Sequence, residues 1–196
     1  MELNTIYTGD ALKELRKFPS ESVDCIVTSP PYYCLRDYNV AGQIGLENSP
    51  QKFIKNLVKI FMECRRVLKN DGTMWIVIGD SYAGSGRGWG GKNDLYSRKI
   101  QPKSSYATLF SKPKKIQNYK NKDLIGIPWM LAFELRNAGW YLRQDIIWHK
   151  PNPMPESVRD RCTKAHEYLF LLTKSAKYHF DHKAMLEPAK YDGQKK

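Results

Sequence analysis

The sequence predicts an α/β fold in which helices flank a central, mostly parallel sheet. Strand-like segments alternate along the chain with segments whose apolar residues recur every three or four positions, as on one face of a helix. The strand-like segments end in polar or glycine-containing loops, where parallel sheets place functional residues. With 196 residues, 41% of them hydrophobic, the chain can form a sizeable core. We therefore expect residues 1–196 to form a single domain.

The chain begins with a predicted strand and a short helix. Residues 4–8 have the composition of a strand, and the helix that follows carries Leu12, Leu15 and Phe18 on one side. Asp10 stands where the N-cap of this helix is expected.

Two prolines set the end of the second predicted strand, residues 23–28. Pro30 and Pro31 cannot donate hydrogen bonds to a sheet ladder, so the chain leaves the sheet and carries Ser29 and Tyr32 into a loop. A polar group and a ring at a strand end are typical of a functional site. The alternative is that the prolines only end the strand and that Tyr32 covers the core.

A second helix and a third strand follow. Ser49 and Pro50 form an N-cap and first-turn pair, and apolar residues recur at helical spacing from Phe53 to a predicted helix end at residues 70–72. Residues 73–78 then read as a buried strand.

Residues 81–122 interrupt this alternation and are predicted to form a flexible basic insertion. Gly86, Gly88 and Gly91 match the spacing of a dinucleotide-binding fingerprint, but a loop precedes them and a polar, basic stretch follows, so we discount the match.

The second part of the insertion has the composition of a nucleic-acid contact. Residues 97–122 contain eight Lys or Arg and no acidic residue, with aromatic residues between them. Basic side chains neutralise phosphates, and rings touch sugars or bases. The candidates for DNA binding in this segment are Lys112, Lys114 and Lys115. A solvated loop in the free protein is the alternative.

The C-terminal third alternates again. Residues 123–139 predict a helix that ends at a glycine C-cap, residues 140–148 a strand, and residues 166–172 another strand. Three prolines in residues 150–157 exclude regular structure there. Residues 178–180 are a candidate for a last short strand.

Composition excludes several classes of protein. A net charge of +12 favours a polyanionic partner. The sequence shows neither a signal peptide nor an apolar stretch of membrane-spanning length, and the four cysteines lack metal-ligand or redox spacing. We expect a cytoplasmic protein with reduced thiols and no metal site.

The segment Ser29-Pro30-Pro31-Tyr32 resembles the catalytic loop of the DNA amino-methyltransferases, which methylate the exocyclic nitrogen of adenine or cytosine. In that family the loop reads Asp, Asn or Ser, then Pro-Pro, then Tyr, Phe or Trp. Matches continue in order over nearly the whole chain, at residues 9–10, 66–68, 75–80, 128, 139–140, 147–153, 159–161 and 166–167. The resemblance implies a partial Rossmann-like, S-adenosylmethionine-dependent methyltransferase fold.

The resemblance also implies roles for the loop. Ser29 and the carbonyl of Pro30 would hold the target amine out of conjugation with its ring, and the adjacent Pro31 would keep that carbonyl stiffly aimed. Tyr32 would stack on a base flipped out of the duplex. A serine in the first position favours N4 of cytosine over N6 of adenine.

Cofactor and DNA contacts follow from the same resemblance. S-adenosylmethionine would lie beside Asp10, Thr28, Ser29 and Pro30. Double-stranded DNA would be contacted by a second group of polar and basic residues, namely Lys150, Asn152, Ser157, Arg159 and Arg161.

One departure from the family pattern concerns the cofactor loop. The family binds its cofactor through a Phe-x-Gly-x-Gly loop, and no phenylalanine here is followed two positions later by glycine. In the subgroup whose sequence begins with the catalytic half, this loop lies in the C-terminal half. In the sheet, the strand that carries the loop and a neighbouring strand lie between the strand of residues 4–8 and the catalytic strand, residues 23–28. We therefore expect an open sheet edge or gap there. We also expect weak cofactor binding and little turnover unless a C-terminal half or a second chain supplies the loop.

Several alternatives stay open. The chain can be a fragment, a degenerate gene product or one subunit of a split methyltransferase, and an oligomer is compatible with each. A non-catalytic DNA-binding module is a rival from another class. Methylation of a protein amide, as by enzymes with Asn in the first loop position, is opposed by Ser29 and the basic excess. Cytosine C5 methylation is excluded because its cysteine nucleophile normally follows proline, and the chain has no Pro-Cys pair.

Overall fold

The computed structural model describes residues 2–38, 40–84, 116 and 118–187. Within them the elements follow in the order α1 (Ala11–Leu15), β1 (Val23–Thr28), α2 (Pro50–Val67), β2 (Leu68–Ile78), α3 (Ile127–Asn137), β3 (Tyr141–His149) and β4 (His166–Thr173). The predicted α/β class is confirmed.

The described strands form one sheet in the order β1-β2-β4-β3. β1 and β2 are parallel, and β4 is antiparallel to both β2 and β3. Three of the four strands therefore run in the same direction, as a mostly parallel sheet requires, and β4 is the exception. Because β4 returns between β2 and β3, its first residues lie at the carboxyl ends of β1 and β2.

Helices α2 and α3 pack against each other and supply much of the core with the sheet. Their buried side chains meet those of β2 and β4, and the most buried include Phe53, Leu57, Leu131, Leu135, Met74, Ile76, Phe170 and Leu172. Each buried aliphatic or aromatic side chain of this size contributes about 1.5–3 kcal/mol. The packing of α2 and α3 on one face of the sheet therefore stabilises β2 and β4.

The predicted helix caps are confirmed. Asp10 accepts a hydrogen bond from the Lys13 amide at 3.0 Å, and Ser49 accepts one from the Lys52 amide at 3.2 Å. Gly139 follows α3 with a φ of +98°, the left-handed conformation that favours glycine at a helix end.

The predicted end of α2 at residues 70–72 was too late. The helix ends at Val67 because Leu68 already pairs with Val23 of β1. The register then shifts, and regular pairing resumes where Cys25 faces Thr73. The C-terminal end of α2 is therefore set by sheet pairing.

The predicted start of the third helix at Asp123 was also wrong, since α3 begins at Ile127. Residues 122–125 instead pair with residues 81–83, and one of these bonds joins the Ala83 amide to the Asp123 carbonyl at 2.8 Å. The chain then turns at Gly126, whose φ is +85°. Pairing with a segment some 40 positions earlier therefore overrides the local helical pattern.

Residues 4–8 do not form the predicted strand, and Ile6 is 93% exposed. Among the described strands β1 lies at the end of the sheet, and its Val27 is 72% exposed. In the described sheet β1 thus has the open edge expected beside the catalytic strand, and this explains why residues 4–8 form no strand, because a strand cannot form without a partner. The predicted strand at residues 178–180 is also absent from the described structure.

The ends of the predicted insertion belong to the packed structure. Ala83 and Ile116 are buried, at 2% and 8% exposure. Residues 85–115, with Lys112, Lys114 and Lys115, lie outside the described residues. Among the described helices none combines the length and apolar character needed to cross a membrane.

Candidate active site

The loop from Ser29 to Tyr32 emerges at the carboxyl end of β1, beside the end of β2. Ser29 is exposed, Pro30 is buried, and Tyr32 is half-buried. The Tyr32 ring lies against the backbone of Gly79, where an added Cβ would come within 2.7 Å of the ring carbon Cε2. Gly79 therefore allows a contact with Tyr32 that any larger residue would disturb.

The hydroxyl of Tyr32 donates a hydrogen bond to Oε2 of Glu167 at 2.8 Å. The other carboxylate oxygen, Oε1, pairs with the ammonium group of Lys150. Glu167 lies near the start of β4, and Lys150 directly follows β3. Two neighbouring strands thus hold the ring of the loop in place.

These contacts shift the pKa values of both groups. Burial raises the pKa of the Tyr32 hydroxyl to about 12, helped by the hydrogen bond to Glu167 and partly opposed by one with the Ser29 side chain. Burial alone raises the pKa of the Glu167 carboxyl, but the hydrogen bonds from Lys150 and Tyr32 outweigh it, so this pKa lies below its usual range. Glu167 is therefore an anion at neutral pH and a strong acceptor for the tyrosine.

A second layer of polar contacts lies beneath this pair. Lys164 donates from Nζ to the backbone carbonyl of Asp80 at 3.1 Å. Burial lowers the pKa of Lys164, while the carboxylates of Asp80, Glu167 and Glu156 act in the opposite direction. An additional positive charge thus faces Glu167.

The carboxylate of Asp80 caps helix α3 from the end of β2. It accepts hydrogen bonds from the amides of Gly126 at 3.0 Å and Ile127 at 2.9 Å, and another from Ser81 at 2.9 Å. A negative charge at a helix N-terminus is stabilising. Asp80 therefore fixes α3 relative to the end of β2, where Gly79 contacts the Tyr32 ring.

The residue after the loop is anchored in the core. Tyr33 is 2% exposed, and its ring centroid lies 5.4 Å from that of Phe53. Its hydroxyl donates to the Glu47 carbonyl at 3.3 Å, and its own carbonyl accepts from the Ser81 hydroxyl at 3.0 Å. Ser29–Tyr32 is thus held between β1 and a buried aromatic residue.

The predicted DNA-binding residues fall into two groups. Asn152, Ser157 and Arg159 lie on the proline-rich loop, and all three are exposed. In contrast, Lys150 pairs with Glu167 as described, and Arg161 donates to Glu156 at 2.6 Å while its guanidinium lies 4.1 Å from the ring centre of Tyr82. These latter two cations are engaged within the protein.

The predicted cofactor-binding residues are similarly divided. Thr28, Ser29 and Pro30 are consecutive at the end of β1, with Ser29 exposed. Asp10 caps α1, an exposed helix that packs against α2. In the described part of the chain, no cluster of three metal-ligating side chains occurs.

Gly79, Asp80 and Glu167 were given no role by the sequence patterns. Two signals for them were available: all three lie in segments that match the family, and Gly79 and Asp80 follow one predicted strand while Glu167 is the second residue of another. Their proximity could not be inferred without knowing that β4 runs antiparallel to β2, which brings the start of one strand to the end of the other.

Comparison with known proteins decides the family. The model of the N6/N4 DNA methylases, described as DNA methylase, matches residues 23–196. The chain belongs to this DNA methylase family. The predicted kinship with the DNA amino-methyltransferases is thus confirmed.

Two curated relatives of this chain are type II methyltransferases. The chain is 52% identical over 189 residues to M.Cfr9I of Citrobacter freundii, and 51% identical over 184 residues to M.SmaI of Serratia marcescens. The alignments cover 95% and 94% of this chain but 60% of each relative. The chain therefore spans about three fifths of the length of these relatives.

Solved structures confirm the fold. The PvuII DNA methyltransferase, cytosine-N4-specific, matches with a TM-score of 0.60 and 16% identity, over 92% of this chain and 52% of that one. TTHA0409 of Thermus thermophilus, complexed with S-adenosyl-L-methionine, matches with a TM-score of 0.56 and 21% identity, over 93% and 55%. The predicted methyltransferase fold is therefore confirmed.

Proposed function

We propose that the chain is the catalytic and target-binding part of an S-adenosylmethionine-dependent DNA methyltransferase. Its target is the exocyclic amine of a base flipped out of the duplex, with N4 of cytosine favoured and N6 of adenine second. The observation that carries this proposal is the exposed Ser29 at the carboxyl end of β1, with the Tyr32 ring fixed beside it.

The arrangement suits the chemistry of an amine whose lone pair is delocalised into the base. The hydroxyl of Ser29 and the carbonyl of Pro30 accept hydrogen bonds from the amine and draw its lone pair out of conjugation. The ring of Tyr32 stacks on the base, a contact worth about 1–3 kcal/mol. The nitrogen would then attack the methyl carbon of the sulfonium, so that the N–C bond forms as the S–C bond breaks; the electron pair of the broken bond would stay on sulfur, which leaves as the thioether S-adenosylhomocysteine, and one amine proton would pass to solvent.

S-adenosylmethionine would supply the methyl group from its sulfonium. Thr28, Ser29 and Pro30 would lie beside it, because β1 ends at the open edge of the sheet. Asp10 would contact the cofactor only if further strands joined that edge and brought Asp10 closer to residues 28–30. Supply of the Phe-x-Gly-x-Gly loop from outside the present sequence is part of the proposal.

DNA would be bound by the proline-rich loop. Arg159 is the strongest candidate for a phosphate contact, because it is exposed while Lys150 and Arg161 are paired with carboxylates. Asn152 and Ser157 offer hydrogen bonds beside it. The net charge of +12 favours binding of any duplex.

The proposal is tested by removing the Ser29 hydroxyl. Transfer of tritiated methyl groups from S-adenosylmethionine to unmethylated DNA is measured for the chain alone and after addition of the part of M.Cfr9I that the chain does not match. Ser29→Ala should lower the transfer rate about 100-fold, the size expected when one positioned hydrogen-bonding group is lost at a reacting centre.

Ser22→Ala is the matched control. Ser22 directly precedes β1 as Ser29 directly follows it, and its hydroxyl donates locally, to the Pro19 carbonyl at 2.8 Å. This variant should transfer at the wild-type rate. Chromatography of the digested DNA identifies the methylated base. An unchanged rate in Ser29→Ala contradicts the proposal.

The same assay separates the alternatives. If transfer occurs only after the second part is added, the chain is one half of a split enzyme. The missing Phe-x-Gly-x-Gly motif supports this alternative. DNA binding without transfer, indifferent to S-adenosylmethionine and to Tyr32→Ala, favours a non-catalytic DNA-binding module.

A further inference from the structure

We propose that Glu167 is a positioning residue that fixes the Tyr32 ring for stacking on the target base, and that Lys150 acts through Glu167. The inference rests on the proposed function. It assigns Lys150 a place in the target site in addition to, or instead of, the phosphate contact expected from the sequence.

Glu167 is held rigidly enough to orient a side chain that is hydrogen-bonded to it. It lies on β4, an inner strand paired on both sides, and its neighbour Tyr168 pairs with Ile78 on one side and Ile147 on the other. Its side chain is 19% exposed, and each carboxylate oxygen has a partner. A side chain held at both oxygens on a central strand has little freedom, so a group bonded to it is equally restricted.

The Tyr32 ring needs a rigid hydrogen-bond partner to keep one orientation. It extends from a loop that follows an edge strand, and its ring lies against Gly79, which has no side chain to enclose it. The hydroxyl bond to Glu167 is a directional contact from a neighbouring strand and restricts the ring orientation in addition to the contact with the Ser29 side chain. Loss of this bond should leave the ring present but less often in the orientation that stacks on a base.

Lys150 reaches Tyr32 only through the carboxylate. Its backbone amide is held by the Ala165 carbonyl at 2.8 Å, and its ammonium group pairs with Glu167. Lys164 also acts electrostatically on Glu167. The two ammonium groups keep the carboxylate ionised and oriented. Replacing Lys150 should therefore change the rate of methyl transfer only while Glu167 is present.

The first experiment is a double-mutant cycle on methyl transfer. Tyr32→Phe and Glu167→Gln should each lower kcat about 10-fold, as expected for one hydrogen bond to a charged group, with KM for DNA changed less than about 3-fold. The double variant should fall no further than the lower single variant. Multiplying effects, about 100-fold in the double variant, would overturn the inference.

Lys150→Met tests the second half of the proposal. It should lower kcat in the wild-type background and have no further effect in Glu167→Gln. An unchanged kcat with a raised KM for DNA and a weaker salt dependence would instead assign Lys150 to a phosphate and overturn this half. The control is Glu63→Gln, because Glu63 forms a similar ion pair with Arg66, is 24% exposed and lies on α2. It should leave kcat and KM unchanged.

The second experiment needs no enzymatic activity, so it separates failure of this inference from failure of the proposed function. Tyrosines are labelled with ¹³C at the ring carbon that bears the hydroxyl, and the NMR signal of Tyr32 is assigned by its loss in Tyr32→Phe. The signal should move in Glu167→Gln and stay unchanged in Glu63→Gln. An unmoved signal in Glu167→Gln overturns the inference, whether or not DNA is methylated.

Discussion

The two flanks of the Ser29–Tyr32 loop are held very differently. The closed flank consists of β2, β4, α3 and the side chains of Asp80 and Glu167, and its hydrogen bonds are completed within the described chain. The open flank consists of residues 4–8, helix α1 with its cap Asp10, and β1, and in it Ile6 and Val27 are 93% and 72% exposed. The side on which we place the target base is thus held by neighbouring elements, while the side on which we place the cofactor has a free strand edge among the described strands.

This difference has a physical cause. A sheet edge exposes unpaired backbone groups and one row of apolar side chains, which natural proteins usually cover or pair. On the closed flank, β4 satisfies these groups on β2. On the open flank, no described strand does so for β1. Stability and target-site geometry should therefore depend on the closed flank, and completion of the open flank should affect cofactor binding.

The largest expected contrast comes from truncating one apolar residue on each flank. Ile76→Ala removes a side chain that is 0% exposed on β2, and should lower the free energy of unfolding by about 2–5 kcal/mol. Val27→Ala, on the neighbouring strand, should change it by less than about 0.5 kcal/mol. Denaturation in urea measures both. A cost for Val27→Ala comparable to that of Ile76→Ala would mean that β1 is covered in solution, and the comparison would fail.

The next contrast compares two aspartates that both cap helices. Asp80→Ala removes the acceptor for the amides of Gly126 and Ile127 and should cost about 1–3 kcal/mol, because it also leaves partly buried amides unpaired. Asp10→Ala removes a local cap from the five-residue helix α1 and should cost about 0.5 kcal/mol. Thermal unfolding followed by circular dichroism measures both. Equal losses would show that the two flanks contribute equally to stability.

Several boundaries of the elements around the site were predictable from the sequence. The prolines at positions 30 and 31 end β1, Ser49 caps α2, and Gly139 ends α3, as local rules require. These features depend on residues close in sequence, so single-sequence reasoning could place them.

The remaining features depend on distant contacts. The start of α3 was misplaced because Asp80 and residues 81–83 determine it from some 40 positions away or more. Likewise, the contact of Tyr32 with Glu167 spans 135 positions and needs the direction and neighbours of β4. The strand at residues 4–8 was predicted from composition, although the missing Phe-x-Gly-x-Gly loop already indicated that its pairing partners were lacking. Propensity gives way to tertiary context in each case.

The smallest expected effect concerns the charge of Glu167 and the pH dependence of stability. Burial raises the pKa of this carboxyl, but the hydrogen bonds from Lys150 and Tyr32 lower it more, so the folded-state value lies below the usual 4.5. A carboxyl with a depressed pKa stabilises the fold above its unfolded pKa, and this contribution is lost as the pH falls through the folded value. The free energy of unfolding of the wild type should therefore be higher than that of Glu167→Gln at pH 7, by no more than about 1 kcal/mol because Glu167 is partly exposed. This difference should shrink below pH 4.5.

The matching change on the open flank is Asp24→Asn, which removes the exposed pair between Asp24 and Lys69. Both groups of that pair are largely solvated, so the free energy of unfolding at pH 7 should stay nearly the same. Urea titrations at pH 7 and at about pH 3.5, below the usual carboxyl pKa, measure the two variants against wild type. If the stability difference of Glu167→Gln were independent of pH, the Glu167 carboxylate would contribute by shape alone, and charge would not distinguish the closed flank from the open one.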